Sequence, residues 1–185
     1  VITIMGILML VAIPAVTRTI ENSRRDTFAN LAGEYVTAVR NAFMADNLKC
    51  AKTDGGTDYS VASALPTGDY YFIIASSKID SNVAFTADAV QNTKDILESG
   101  GGKSPFGGAA IYGYVHLSRT DDSGTIKNTY SVSLVDSGEH GFATDTSEES
   151  LGRSVVLVEG ATRSDVEGTL IESNKLAIKS YVMNN

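Results

Sequence analysis

The residues of this 185-residue chain that could do chemistry are few, and their spacing works against it. Gly101-Gly102-Lys103-Ser104 has the ending of a phosphate-cradling loop, in which backbone N–H groups surround the phosphates and the lysine reaches them. Such a loop needs a glycine five positions before Gly102, where Leu97 stands, and Pro105 blocks the helix that should open after the serine. A surface turn is the reading that survives. His116, in a strand candidate, and His140, in a loop, have no cysteine or carboxylate at ligand spacing. Gly-x-Ser-x-Gly does not occur, so there is no nucleophile elbow. Asp121-Asp122-Ser123 and Asp145–Glu149 could offer oxygens to calcium, but neither has the EF-hand pattern, and solvated turns explain them more simply. Cys50 is the only cysteine, so no intrachain disulfide can form, and it reads as a small buried apolar side chain. The expectation is a protein without catalytic residues, metal ligands or cofactor, and not an enzyme.

Composition agrees with a folded chain. Hydrophobic residues make up 43% of the chain, a globular value. The net charge of −7 is unevenly spread. Residues 1–53 carry six Lys/Arg against four Asp/Glu, and residues 54–185 carry nine against eighteen. An acidic second part argues against direct nucleic-acid binding.

The strongest signal lies in the elements. Val1–Val16, VITIMGILMLVAIPAV, has no charge, one early Gly6 and one late Pro14. An amphipathic pattern follows over 17–53, where Ile20, Phe28, Leu31, Tyr35, Val39, Phe43 and Leu48 recur at helical spacing. Asp54-Gly55-Gly56 supplies a stop. A helix over 1–53 would be about 80 Å long at 1.5 Å per residue, so part of it must project from the rest.

After Gly56 the pattern turns to strands and loops. Residues 57–68 read as a loop, Asp69–Ser76 as a buried strand, 87–98 as a short helix and Ser99–Gly108 as a glycine-rich loop. Ala110–Arg119 and Ile126–Val135 read as an antiparallel hairpin joined at Asp121-Asp122-Ser123-Gly124. Residues 136–152 read as polar loop and Ser154–Val158 as a short strand. Ser164-x-x-Glu167 reads as a capping box for a helix to about Glu172, and the alternation of Leu176, Ile178 and Val182 as a last strand. The fold class is therefore α+β. A long N-terminal helix (1–53; apolar stem 1–16, amphipathic 17–53) lays its C-terminal half on a mainly antiparallel sheet in a head domain, 54–185. The N-terminal half must find lipid, or copies of itself.

These residues carry a resemblance. VITIMGILMLVAIPA, with a glycine inside an apolar helix and Ile-Pro-Ala eight residues after it, resembles the type IV pilin family, including the pseudopilins of type II secretion. In that family the mature chain opens Phe-Thr-Leu-Ile-Glu. In this register that start falls just before Val1, with the glutamate four positions upstream. Val1 is not a methionine, and the uncharged run is shorter than the roughly 20 residues that span a bilayer as a helix. The expectation is that preceding residues complete the segment.

The resemblance implies the structural subunit of an extracellular helical filament at the bacterial cell surface. It implies a membrane anchor before assembly, extraction by inner-membrane machinery, and then a homo-oligomer without nucleic acid. The expected filament-core residues are Val1, Ile2, Ile4, Met5, Ile7, Leu8, Leu10, Val11 and Ile13. Gly6 and Pro14 are expected to kink or melt the helix. Phe28, Leu31, Tyr35, Val39 and Phe43 are expected to contact the head or neighbouring subunits. Two alternatives remain open: a pseudopilin of a secretion or DNA-uptake apparatus, and a monomeric membrane-anchored adhesin.

Overall fold

A computed structural model describes residues 2–44, 67–75, 102–151, 157–172 and 177–182, with the side chains of 2–12, 75, 143, 158, 170–172 and 177–182 outside the description. The first helix, α1, spans Ile2–Met44. Its 43 residues make a rod about 65 Å long at 1.5 Å per residue. Pro14 lies inside it. The stretch Gly6–Pro14, where a kink or melting is expected, is helical here. A proline removes one hydrogen bond, here to the Leu10 carbonyl, and costs about 3 kcal/mol. Leu8, Met9, Leu10, Ala12 and Ala15 are good helix formers that favour helix on both sides of that gap, against the weaker β-branched Val11, Ile13 and Val16. The hydroxyls of Thr17, Thr19 and Thr27 fold back onto the carbonyls of Ile13, Ala15 and Ser23. The expected end near residue 53 and the expected helix 87–98 lie outside the described residues.

The head is a six-stranded sheet. Its strands are β1 (Gly68–Ala75), β2 (Ile111–Asp122), β3 (Thr125–Asp136), β4 (His140–Ser147), β5 (Val158–Glu159) and β6 (Ala177–Val182). Two further helices are α2 (Glu148–Leu151) and α3 (Arg163–Glu172). The order across the sheet is β5-β4-β3-β2-β1-β6. Neighbours are antiparallel except β1 and β6, which are parallel. The class is therefore α+β with an N-terminal helix and a mainly antiparallel sheet.

The β2–β3 hairpin is the sheet's spine, paired without interruption from Ile111↔Asp136 to Asp122↔Thr125. Only Ser123 and Gly124 are left for the turn, with φ of 56° and 90°. Two successive positive φ values make the twist-matched two-residue turn, and Gly124 takes its place there without a Cβ penalty. Asp121 accepts the Gly124 N–H at 2.7 Å. Both strands run closer to the turn than the sequence pattern suggested, because their last residues pair through the backbone alone.

Residues 136–152 are not all loop. They contain β4 and α2. Strand β4 reads HGFATDTS, with Phe142 as its buried apolar residue, so the usual alternation is too sparse to see. His140 accordingly opens a strand. The capping box also shifts. The Thr162 N–H donates to Asp165 at 2.8 Å while the Asp165 N–H reaches the Thr162 hydroxyl at 3.3 Å. Thr162 caps α3, two residues before the expected Ser164, because an aspartate closes the box as well as the glutamate sought.

The two faces of the sheet differ. On one, Phe72, Ile74, Val115, Leu117, Val132, Leu134 and Phe142 form a single buried cluster with Phe28, Ala32, Tyr35, Val36, Val39 and Phe43 of α1. On the other, Tyr71, Ile73 and Tyr114 are buried, and the Arg163 guanidinium of α3 covers the Tyr112 ring at 4.8 Å. The ring contacts orient α1. Phe28 meets Phe142, the partner of Leu134, at 5.8 Å, and Arg40 lies over Tyr130 at 4.9 Å. The helix therefore runs against β3. The β2–β3 turn lies beyond the helix's C-terminal part, and the β3–β4 turn lies where its N-terminal part leaves the head.

Candidate functional site

Helix α1 changes surroundings along its length. From Ile13 to Ile20 every residue is exposed. Ile13 keeps 63% of its surface, Val16 57% and Ile20 48%, an apolar series at three- and four-residue spacing with nothing against it. The transition is ionic. Arg25 donates to Glu21 one turn back at 2.7 Å and to Glu159 of β5 at 3.0 Å, tying the helix to the sheet edge. From Phe28 onward the inner face is buried.

The expected site residues are placed as follows. Phe28, Tyr35, Val39 and Phe43 are buried in the cluster shared with the sheet, and Leu31 is partly buried against it. Ile13 is exposed on the bare stretch. Ile2, Ile4, Met5, Gly6, Ile7, Leu8, Leu10, Val11 and Pro14 lie on the helix. Val1 lies outside the described residues. Among the described residues no helix is long and apolar enough to cross a membrane.

The segment Gly102–Ala110, whose start was read as a surface turn and not a phosphate loop, is folded onto the head. Lys103 and Ala110 form an antiparallel bridge. The Ser104 hydroxyl donates to Asp136 at 2.5 Å. Asp136 is buried and also accepts the N–H groups of Gly138 and His140, each at 2.9 Å, so it organises the β3–β4 turn. Phe106 stacks on His140 at 4.2 Å and approaches Phe28 at 6.3 Å. Gly102 passes so near the helix that a Cβ there would stand 2.4 Å from the Tyr35 hydroxyl. Burial pushes the Tyr35 phenol up, partly offset by its hydrogen bond with the Gly102 backbone.

Sequence reasoning missed a polar cluster on the back face. His116 Nε2 lies 2.9 Å from Asp69 of β1, and its Nδ1 lies 2.8 Å from Asp145 of β4 and 3.2 Å from Ser131 of β3. Tyr114 donates to Asp145 at 2.5 Å, and the Tyr71 ring stacks on His116 at 4.4 Å. Burial first, and the hydrogen bond to Asp145 second, push the Tyr114 phenol far up. Burial does the same to Tyr71, with the Asp145 and Asp69 charges adding to it. This is not a hydrolytic relay, which needs serine and carboxylate on opposite ring nitrogens. Here both reach Nδ1 and a second carboxylate holds Nε2. The cluster sews four strands together. Only chain pairing brings residues so far apart in sequence into contact, so no local pattern could have announced it.

Among the described residues no group of three His, Cys, Asp or Glu side chains could hold a metal ion. Asp121 is engaged in its turn and Asp145 with His116 and Tyr114. No protein-family model, curated protein or solved structure matches the chain. Among the described residues, Ile13, Val16 and Ile20 remain the large apolar side chains of α1 that the sheet leaves uncovered at its N-terminal end.

Proposed function

We propose that this chain is the structural subunit of an extracellular type IV pilus-like filament, assembled through its apolar N-terminal helix. The observation that carries the reading is the partition of one unbroken helix. Phe28–Phe43 is covered by the sheet, while Ile13, Val16 and Ile20 stand bare below it. Exposed aliphatic groups in a row need cover, and Val1–Ala12 continues them with no charge. In the membrane that cover is lipid. In the filament it is the same segment of neighbouring subunits, each fully buried large side chain contributing about 1.5–3 kcal/mol. On this reading the helix loosens near Gly6–Pro14 only on assembly, where contacts with neighbours offset the lost helical bonds. The subunit is anchored in the plasma membrane before assembly and ends in a fibre at the bacterial surface.

The test is direct. Leu8→Asp or Leu10→Asp places a carboxylate where neither lipid nor packed helices can solvate it. Electron microscopy of cells and of sheared material should show abundant fibres for the parent chain and none for either variant, while the head stays folded. Fibres that persist with the charged stem refute the assembly core. A parent chain found only as solitary molecules in membrane or detergent refutes the filament and favours the monomeric adhesin.

A further inference from the structure

Resting on that filament reading, we propose that the cleft where α1 leaves the head receives the β2–β3 turn of a second copy of this chain. The cleft has a volume of about 400 Å³ and is lined by Ile20, Arg24, Phe106, His140 and Leu157 among others. Its apolar side is formed by buried Leu157, half-buried Phe106 and exposed Ile20. Its cations differ in state. Arg25 is engaged by Glu21 and Glu159, whereas Arg24 is exposed and, among the described residues, has no ion pair.

The opposite end of the subunit carries the complement. Asp121 and Asp122 flank the Ser123-Gly124 turn, exposed and, among the described residues, without an ion pair. Ile126, cross-strand partner of Asp121, leaves 44% of its surface in water beside them. One end therefore offers an unpaired cation over an apolar floor. The other offers two carboxylates without an ion pair among the described residues, Asp121 holding only the Gly124 N–H, beside an apolar side chain. Because α1 runs against β3, these features lie at opposite ends of the head. A contact between unlike ends leaves each pair with one free end of either kind, and where its rotation does not close into a ring it propagates with each added copy into an open polymer. Charge sets the partner and register, and the apolar groups supply the buried area.

Charge exchange tests the contact on fibres sheared from cells producing the full chain. Asp121→Lys with Asp122→Lys should lower fibre mass by roughly tenfold, and adding Arg24→Asp should restore most of it. Undiminished fibres from the lysine variant, or a further loss on adding Arg24→Asp, overturn the contact and leave the filament reading standing. A second arm is independent of charge. With Cys50 replaced by serine, Ser123→Cys together with Ile20→Cys should give, on oxidation of fibres, a ladder of covalent oligomers that neither cysteine gives alone. Fibres without a ladder overturn the contact. Absence of fibres from the parent chain overturns the contact and the filament together.

Discussion

Two substitutions on one helix separate the buried from the bare part of α1. Phe28 is fully buried, with the Phe142 ring 5.8 Å and the Phe106 ring 6.3 Å from its own. Phe28→Ala removes a ring from a packed interior. The loss combines transfer with an incompletely collapsing cavity and amounts to about 3–5 kcal/mol. Tilted ring pairs of this kind add about 0.5–1.5 kcal/mol beyond their area, so the upper half of that range is expected. Ile20, eight residues earlier and half exposed, has little to lose. Ile20→Ala should change head stability by no more than about 0.5 kcal/mol, as exposed sites do. The assay is urea unfolding of the full chain in mild detergent, followed by near-ultraviolet circular dichroism of the head tyrosines. Phe28→Ala should lower the midpoint sharply at unchanged slope, and Ile20→Ala should leave it in place. Equal effects from the two would refute the claim that the helix leaves its sheet between them.

Two further outcomes follow from the polar interior. Asp136→Leu leaves the Ser104 hydroxyl and the Gly138 and His140 N–H groups without their acceptor, at about 1–3 kcal/mol for each group that stays buried. Protease cleavage within 102–110 should rise accordingly, and a cleavage rate equal to the parent's would count against Asp136 as the organiser of that turn. Alkali should act through the tyrosines. Tyr71 and Tyr114 are pushed up from the ordinary 10.0, so the folded state holds their protons more tightly than the unfolded chain does. Their contribution is complete below pH 10.0 and is lost as pH rises above it. The absorbance change of these phenolates should coincide with loss of head structure, and their ionisation in a still-folded head would contradict the burial.

Much of the fold was legible because the relevant signals are local. Helical spacing from Ile20 to Phe43 marked the amphipathic face, and the four polar residues Asp121–Gly124 marked the hairpin. Strand β1 stood out as an apolar run between turns. The misses have different causes. Strand β4 buries Phe142 and directs Asp145 to a histidine on β2, so its pattern makes sense only beside its neighbours. The cap of α3 was sought with glutamate and was made with aspartate. The bare stretch was foreseeable from length alone, since α1 outruns any sheet that a chain of this size can build.

The parallel pairing of β6 with β1 has a consequence for biogenesis. Strand β1, GDYYFIIA, is the oiliest ribbon in the head, and it is made early. One flank is closed by β2, but the other waits for β6, which leaves the ribosome only after every other described strand. During that interval an adhesive backbone edge stands open to strangers. The nascent chain is thus most prone to clumping before β6 arrives, and that strand works as a latch that ends the hazard.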